Sequence, residues 1–264
     1  MKEILIKTNL GRICVAVTEG NGSPPVVYLH GIFLNKSLWT NICAPAEGRR
    51  QIFVDMPAHG GSDSVGFDWR LEECVTMLLL ILNELGLQQC VAVGHSWGSM
   101  TALRAALQFP DRFQALALFN MPFRRTSGFR RMGFILQKRI AAFPKFYGAQ
   151  AARSLYTRSF LEQRPELARQ MIEGLSRRSR VEIARILEAV LLQPEDSSAL
   201  FQELRVPALA VVGQTDYVGI PPQIESVTVP GGHISPHEAE VQTRDAIQRV
   251  LAMASRFSRP APSL

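Results

Sequence analysis

The sequence predicts an α/β protein, with a mostly parallel sheet, helices on both faces and an inserted helical block. Three observations carry that expectation. Short apolar runs bounded by turn residues alternate with segments of helical length and periodicity. A glycine-flanked serine, Gly94-His95-Ser96-Trp97-Gly98, stands between one such run and one such helix. Residues 123–192 then lose every strand signal and become Arg-studded amphipathic helices, after which strands resume.

Taken in order, residues 12–17 and 25–29 are strand-like and are separated by the turn-rich Glu19-Gly20-Asn21-Gly22-Ser23. Residues 51–55 form another short strand, and the Pro57-Ala58-His59-Gly60-Gly61-Ser62-Asp63 that follows must be loop. Residues 69–85 have helical length and stop at Gly86. Cys90-Val91-Ala92-Val93 reads as a buried strand, 99–107 as a helix of small and apolar residues, and 114–119 as the next strand. Strand signals return at 206–212 and 225–229, and a closing helix covers about 238–256. Parallel strands joined through helices imply right-handed crossovers. The helical block reads as a cap, giving a first core part (1–121), a cap (122–192) and a second core part (193–264).

Composition narrows the classes. With 264 residues, 47% of them hydrophobic, the chain can bury a full core. Its opening Met1-Lys2-Glu3-Ile4-Leu5-Ile6-Lys7 puts charges where a secretory leader is apolar. No stretch approaches the ~18 uninterrupted apolar residues of a membrane span. Cys14, Cys43, Cys74 and Cys90 sit in apolar surroundings without metal-ligand spacing, and so read as reduced core thiols of a cytoplasmic protein. Residues 258–264 read as a frayed tail. Neither a metal nor a cofactor is expected. Charge is uneven: Pro122 to Leu192 holds 15 Lys and Arg, 5 Glu and no Asp, while the remainder is net −4. Solvated helix faces account for such charge without any partner, yet it also creates a positive field at the cleft mouth. No recognition motif accompanies it, so nucleic acid is not expected.

A G-x-S-x-G turn between strand and helix holds its serine in a strained conformation with the hydroxyl exposed. That hydroxyl is a poor nucleophile and needs a base, itself oriented by a carboxylate, in the chain order Ser, acid, His. Downstream of Ser96, one strand leads into Gly213-Gln214-Thr215-Asp216 and the next into Pro230-Gly231-Gly232-His233. Both candidates therefore lie just past the carboxyl ends of consecutive strands, where α/β sites form. Backbone donors for an oxyanion are expected from Trp97, at the helix start, and from Ile32, after the 25–29 strand. Asp55 ends a strand and competes with Asp216, but reads as a loop-organising carboxylate. His59 reads as a loop residue, and His237, which has no matching motif, as a less favoured candidate for the base than His233; Asp63 and Asp111 read as solvated.

Together these motifs resemble the α/β-hydrolase superfamily over nearly the whole chain, and imply its fold. His30-Gly31 resembles the family's oxyanion loop, with Trp39 at the distance where that loop often carries a tryptophan. Asp55-Met56-Pro57-Ala58-His59-Gly60-Gly61-Ser62 resembles its D-x-P-G-x-G-x-S loop. Ser96 matches the nucleophile, Asp216 the acid, His233 the base, and Glu238 the acidic residue often found five after the base. The resemblance makes His30 and His95 scaffold residues. One departure stands out: Asp216 and His233 are 17 residues apart, too close for the helix usually found between them.

The resemblance implies a cofactor-free serine hydrolase acting on a small-molecule acyl ester or thioester through an acyl-enzyme. Serine rather than aspartate as nucleophile disfavours epoxide hydrolase and haloalkane dehalogenase chemistry. The basic cap is similar to that of carrier-protein methyl ester esterases. That likeness implies an acidic acyl carrier protein meeting Arg124, Arg125, Arg130 and Arg131. A lactonase, a C–C bond hydrolase, an acyltransferase or a non-catalytic ligand-binding protein of the same fold stays open.

Overall fold

In a computed structural model, which describes residues 1–40, 42, 46, 48–140 and 143–257, eight strands form one sheet. They are β1 (Lys2–Thr8), β2 (Gly11–Val17), β3 (Gly22–Leu29), β4 (Arg49–Val54), β5 (Cys90–His95), β6 (Phe113–Phe119), β7 (Ala208–Gly213) and β8 (Glu225–Val229). Their order is β1-β2-β4-β3-β5-β6-β7-β8. From β4 onward in this order all pairs are parallel, whereas β2 is antiparallel to both its neighbours. The chain runs outward from β3 to β4 and then returns to the other side of β3 as β5. That reversal opens a crevice beyond the carboxyl ends of β3 and β5, where ligand sites of such sheets form.

The helices are α1 (Ser37–Thr40), α2 (Leu71–Glu84), α3 (Trp97–Gln108), α4 (Gly128–Ile140), α5 (Pro144–Leu155), α6 (Arg158–Gln163), α7 (Pro165–Ser176), α8 (Arg180–Leu187), α9 (Leu200–Glu203), α10 (Ser235–Glu238) and α11 (Glu240–Arg256). Every residue of β5 is buried, as a parallel strand covered on both faces must be. α3, with α2 packed on it, and α11 supply that cover. The expected strands and long helices are present, with ends shifted by a residue or a few.

β1 went unread in the sequence because it is an edge strand whose single buried residue, Ile6, leaves no apolar alternation. As the spacing of Asp216 and His233 suggested, no helix lies between β7 and β8. Cys14, Cys74 and Cys90 are buried and free. Cys43 and the closing residues 258–264 lie outside the described residues.

Between β6 and β7 the described residues contain helices only, and α8 continues into a π-helical turn at Glu188–Leu192. α7 buries Leu167, Met171 and Leu175, a stripe at four-residue spacing, against α5. The two helices cross so closely that a Cβ at Gly148 would lie 2.8 Å from Ile172 Cγ1. This segment is tied to the sheet's loops at several points. Arg178 Nε donates to Ala58 O at 2.6 Å, Arg185 pairs with Asp68 at 3.1 Å, and Ile234 N–H donates to Leu155 O at 3.1 Å. α4 alone among the longer helices has no buried residue.

Candidate active site

β5 ends at His95 and α3 begins at Trp97, so Ser96 makes the whole turn by itself. Its backbone sits at φ 51° and ψ −109°, a left-handed conformation that costs a non-glycine residue about 1–3 kcal/mol. The surroundings impose it. A Cβ at Gly94 would run into the backbone of Ser99, and one at Gly98 into that of Leu29. Helix and strands can therefore close on the elbow only with glycine at both places. The Ser96 N–H is fixed on Phe119 O at 2.8 Å.

Around this turn, the ends of four neighbouring strands converge. Ser96 Oγ lies 2.9 Å from His233 Nε2, and His233 Nδ1 lies 2.9 Å from Asp216 Oδ1. With Nδ1–H donating to the carboxylate, Nε2 is left to accept the serine proton. The Asp216 carboxylate is fully buried. Burial alone would raise its pKa, but the charge and hydrogen bond of His233, with donors from Asn120 and Val218, outweigh it and hold the carboxyl below its ordinary value. Asn120, just past β6, is the residue that the sequence motifs missed. Its Nδ2 donates to Asp216 Oδ2 at 2.6 Å and to Gly232 O at 3.2 Å, while its Oδ1 accepts from Ser235 Oγ at 2.6 Å. Glu238 closes the loop of His233 by accepting from Gly232 N–H at 2.9 Å and from Thr157 on the helical segment.

On the other side of the crevice, two neutral histidines fix the loop after β3. His30 Nδ1–H donates to Gly31 O at 2.7 Å, and its Nε2 accepts from Met56 N–H at 2.9 Å. His59 Nδ1–H donates to Pro57 O at 2.8 Å, and its Nε2 accepts from Phe33 N–H at 3.0 Å. Burial, aided by the Arg178 charge, pushes His30 down to about 4 and His59 well below the usual histidine range. Asp55 does organise its loop, taking Lys36 N–H, Lys36 Nζ and Gly61 N–H at 2.7–2.9 Å. The Ile32 and Trp97 amides are left over, since neither donates to any described residue. Trp97 is in the first helical turn, whose N–H groups have no intrahelical acceptor.

Above Ser96 is a cavity of about 270 Å³, lined by Ile32, Phe134, Tyr147, Leu155, Leu191 and Tyr217 among others. Its walls are mainly apolar, with Arg130, Gln137, Gln150 and Ser154 as polar exceptions beside Ser96 and His233.

An alpha/beta hydrolase fold family model matches residues 24–239. The chain belongs to that family. The mouse sn-1-specific diacylglycerol lipase ABHD11 is 34% identical over 136 residues, which are 50% of this chain and 44% of that protein. An epoxide hydrolase of Caballeronia sordidicola is 35% identical over 128 residues, 47% of this chain and 38% of the relative. The chain thus spans less than half the length of these two relatives. A thermophilic esterase from Thermogutta terrifontis superposes with a TM-score of 0.81 at 24% identity, over 96% of this chain and 99% of that one.

Within this α/β hydrolase, the remaining sequence candidates separate. His95 Nε2–H donates to the His233 carbonyl at 2.7 Å, anchoring the His233 backbone, and burial drives the His95 pKa down to about 3. His237 pairs with Tyr156 Oη at 2.7 Å, and the histidine on Ser96 Oγ is His233. Asp63 is not simply solvated, for it takes Arg12 through two guanidinium nitrogens. The four arginines also diverge. Arg124 lies over Phe123 at 5.3 Å and Arg125 pairs with Glu195 at 3.5 Å. Arg131 donates to Leu192 O at 2.6 Å, whereas Arg130 lies 4.6 Å over the Tyr217 ring. Tyr217 in turn stacks on His233 at 4.8 Å, so Arg130 belongs to the cavity wall.

Proposed function

We propose that this protein hydrolyses carboxylic esters or thioesters through an acyl-enzyme on Ser96. The unbroken line of 2.9 Å contacts from Asp216 through His233 to Ser96 carries the reading. Ser96 Oγ attacks the acyl carbon while His233 Nε2 takes its proton. The oxyanion that develops is held by the unpaired Ile32 and Trp97 amides. Asp216, buried and charged, stabilises the imidazolium and keeps Nδ1 protonated. The tetrahedral intermediate collapses as His233 returns the proton to the leaving alcohol or thiol. Water, deprotonated by His233, then attacks the acyl-enzyme, releasing the acid and restoring Ser96.

Two lines of likeness agree with an ester bond, since one relative is named a diacylglycerol lipase and one structural neighbour an esterase. The nucleophile position argues against epoxide opening despite the likeness to an epoxide hydrolase, for here it is serine. The cavity accommodates a small or medium acyl group. Free esters are favoured over carrier-borne ones, because Arg130 lines that cavity and Arg131 is held by a carbonyl.

The test combines fluorophosphonate labelling with hydrolysis of short-chain aryl and methyl esters. Wild type should be labelled at Ser96 and turn over both esters. Ser96→Ala should lose both properties, with kcat/KM falling by about 10⁴-fold or more. Undiminished hydrolysis by Ser96→Ala would overturn the assignment. Absence of labelling and turnover in folded wild type would favour a ligand-binding role.

A further inference from the structure

We infer that α4 and the segment after it form an interfacial docking surface for an anionic lipid bilayer. The observation is an apolar patch facing water. Phe129 is 99% exposed, Met132 65%, Leu136 54%, Phe143 69% and Phe146 63%, with Ile135 at 43% beside them. Single exposed apolar residues are ordinary, but six within one short stretch form a surface that soluble monomers rarely leave bare. Helical spacing gathers Phe129, Met132 and Leu136 on one side of α4 and Arg130, Phe134 and Gln137 on another. The second group lines the cavity above Ser96, and the first points away from it.

Charge decides the occupant. Between Pro122 and Leu161 the chain has nine Lys and Arg and no Asp or Glu. Arg139 and Lys145, next to the apolar patch, form no ion pair with any described residue. A basic helix presenting Phe and aliphatic tips is the arrangement that seats at the headgroup boundary of an anionic bilayer. A second copy of this chain would oppose like charges. An acidic protein would satisfy the cations yet would need a groove of its own for the protruding phenylalanines. On the hydrolase reading above, docking would seat the outer side of α4 on the lipid while its other side lines the cavity, leaving one helix between the bilayer surface and Ser96. Binding itself does not depend on that reading.

The experiment is co-sedimentation of the full chain with phosphatidylglycerol vesicles and with phosphatidylcholine vesicles. Wild type and Ser96→Ala should both bind the first and scarcely the second, with affinity falling as salt rises. The triple variant Phe129→Ser, Met132→Ser, Leu136→Ser should lose binding. Arg139→Glu with Lys145→Glu should weaken it by about tenfold or more. Both variants should hydrolyse a water-soluble short-chain ester as wild type does, which shows that they fold. Failure of wild type to bind phosphatidylglycerol, or wild-type binding by the triple variant, overturns the proposal. So does dimerisation, or binding to an acidic acyl carrier protein, that requires the same three side chains while vesicles are ignored.

Discussion

At the carboxyl ends of the strands His30, Asp55, His59, Ser96 and His233 are buried and cross-linked, whereas α4, which lies over them, buries none of its residues. In the first region the polar side chains are held by one another and by the backbone, with His95 Nδ1 left unpaired among the described residues. His30 and His59 each use both ring nitrogens, and Asp55 takes three donors. In the second, side chains as large as Phe129 meet only water. The contrast separates two demands. Bond making needs reacting atoms held to within a fraction of an ångström, and only a cross-linked, desolvated shell does that. Admission of substrate needs a surface that can meet a phase or partner from outside.

The comparison breaks most severely if the buried shell proves dispensable. Asp216→Asn keeps the shape but reverses the hydrogen-bonding preference at His233, so kcat should fall by about 10³–10⁴-fold with little change in KM. Asn120→Ala removes one donor from the Asp216 carboxylate and leaves Ser235 without its acceptor. A cost of about 1–3 kcal/mol for such unpaired buried groups predicts a loss of roughly 10–100-fold in kcat. Because Asn120 acts through Asp216, the double variant should be scarcely worse than Asp216→Asn alone. Independent, multiplying losses would show that Asn120 does something other than hold that carboxylate.

Legibility divides along the same line. The elbow and the positions of Asp216 and His233 were readable because backbone geometry constrains them. Only glycine fits at Gly94 and Gly98, and strand ends fix where Asp216 and His233 must stand. Asn120 was not readable, since an asparagine after a strand carries no pattern until the loop of His233 is seen folding back onto it. Nor was the sorting of the arginines. Whether Arg130 faces Tyr217 or solvent depends on how α4 is rotated about its axis, and a helix without buried residues carries no stripe to reveal that. The edge strand β1 was lost for the same reason.

Acid should reach the shell before it reaches the helices above. His30 and His95 are held neutral by burial down to about 4 and about 3, His59 well below its usual range, and His237, buried against Tyr156, down to about 4. An unfolded chain takes up protons at these four positions near pH 6.5, and the native one does so only lower. Stability is therefore full above about pH 6.5 and declines as pH falls from there toward 4, by up to ~1.4 kcal/mol per pH unit for each histidine. The depressed Asp216 adds a separate loss only below its unfolded value, near pH 4. Urea unfolding at stepped pH should show the midpoint dropping across pH 6.5–4. A midpoint flat to pH 5 would mean that these rings are protonated in the native state and the clamps are not neutral.

The gentlest test sets two large apolar side chains against each other. Leu118 in β6 is 1% exposed, and Leu118→Ala should cost about 2–5 kcal/mol through lost transfer energy and the cavity left behind. Phe129 is larger but packs against nothing that truncation would unpack. Phe129→Ser should shift unfolding free energy by no more than about 0.5 kcal/mol in either direction. The two values, from one set of denaturation curves, report whether α4 is as bare in solution as its exposure indicates. A cost near that of Leu118→Ala would mean that Phe129 is buried by something in solution, and a concentration-dependent midpoint would identify the cover as another copy of the chain. A negligible cost, together with loss of vesicle binding in the triple variant, would show the phenylalanine to be kept for contact outside the fold.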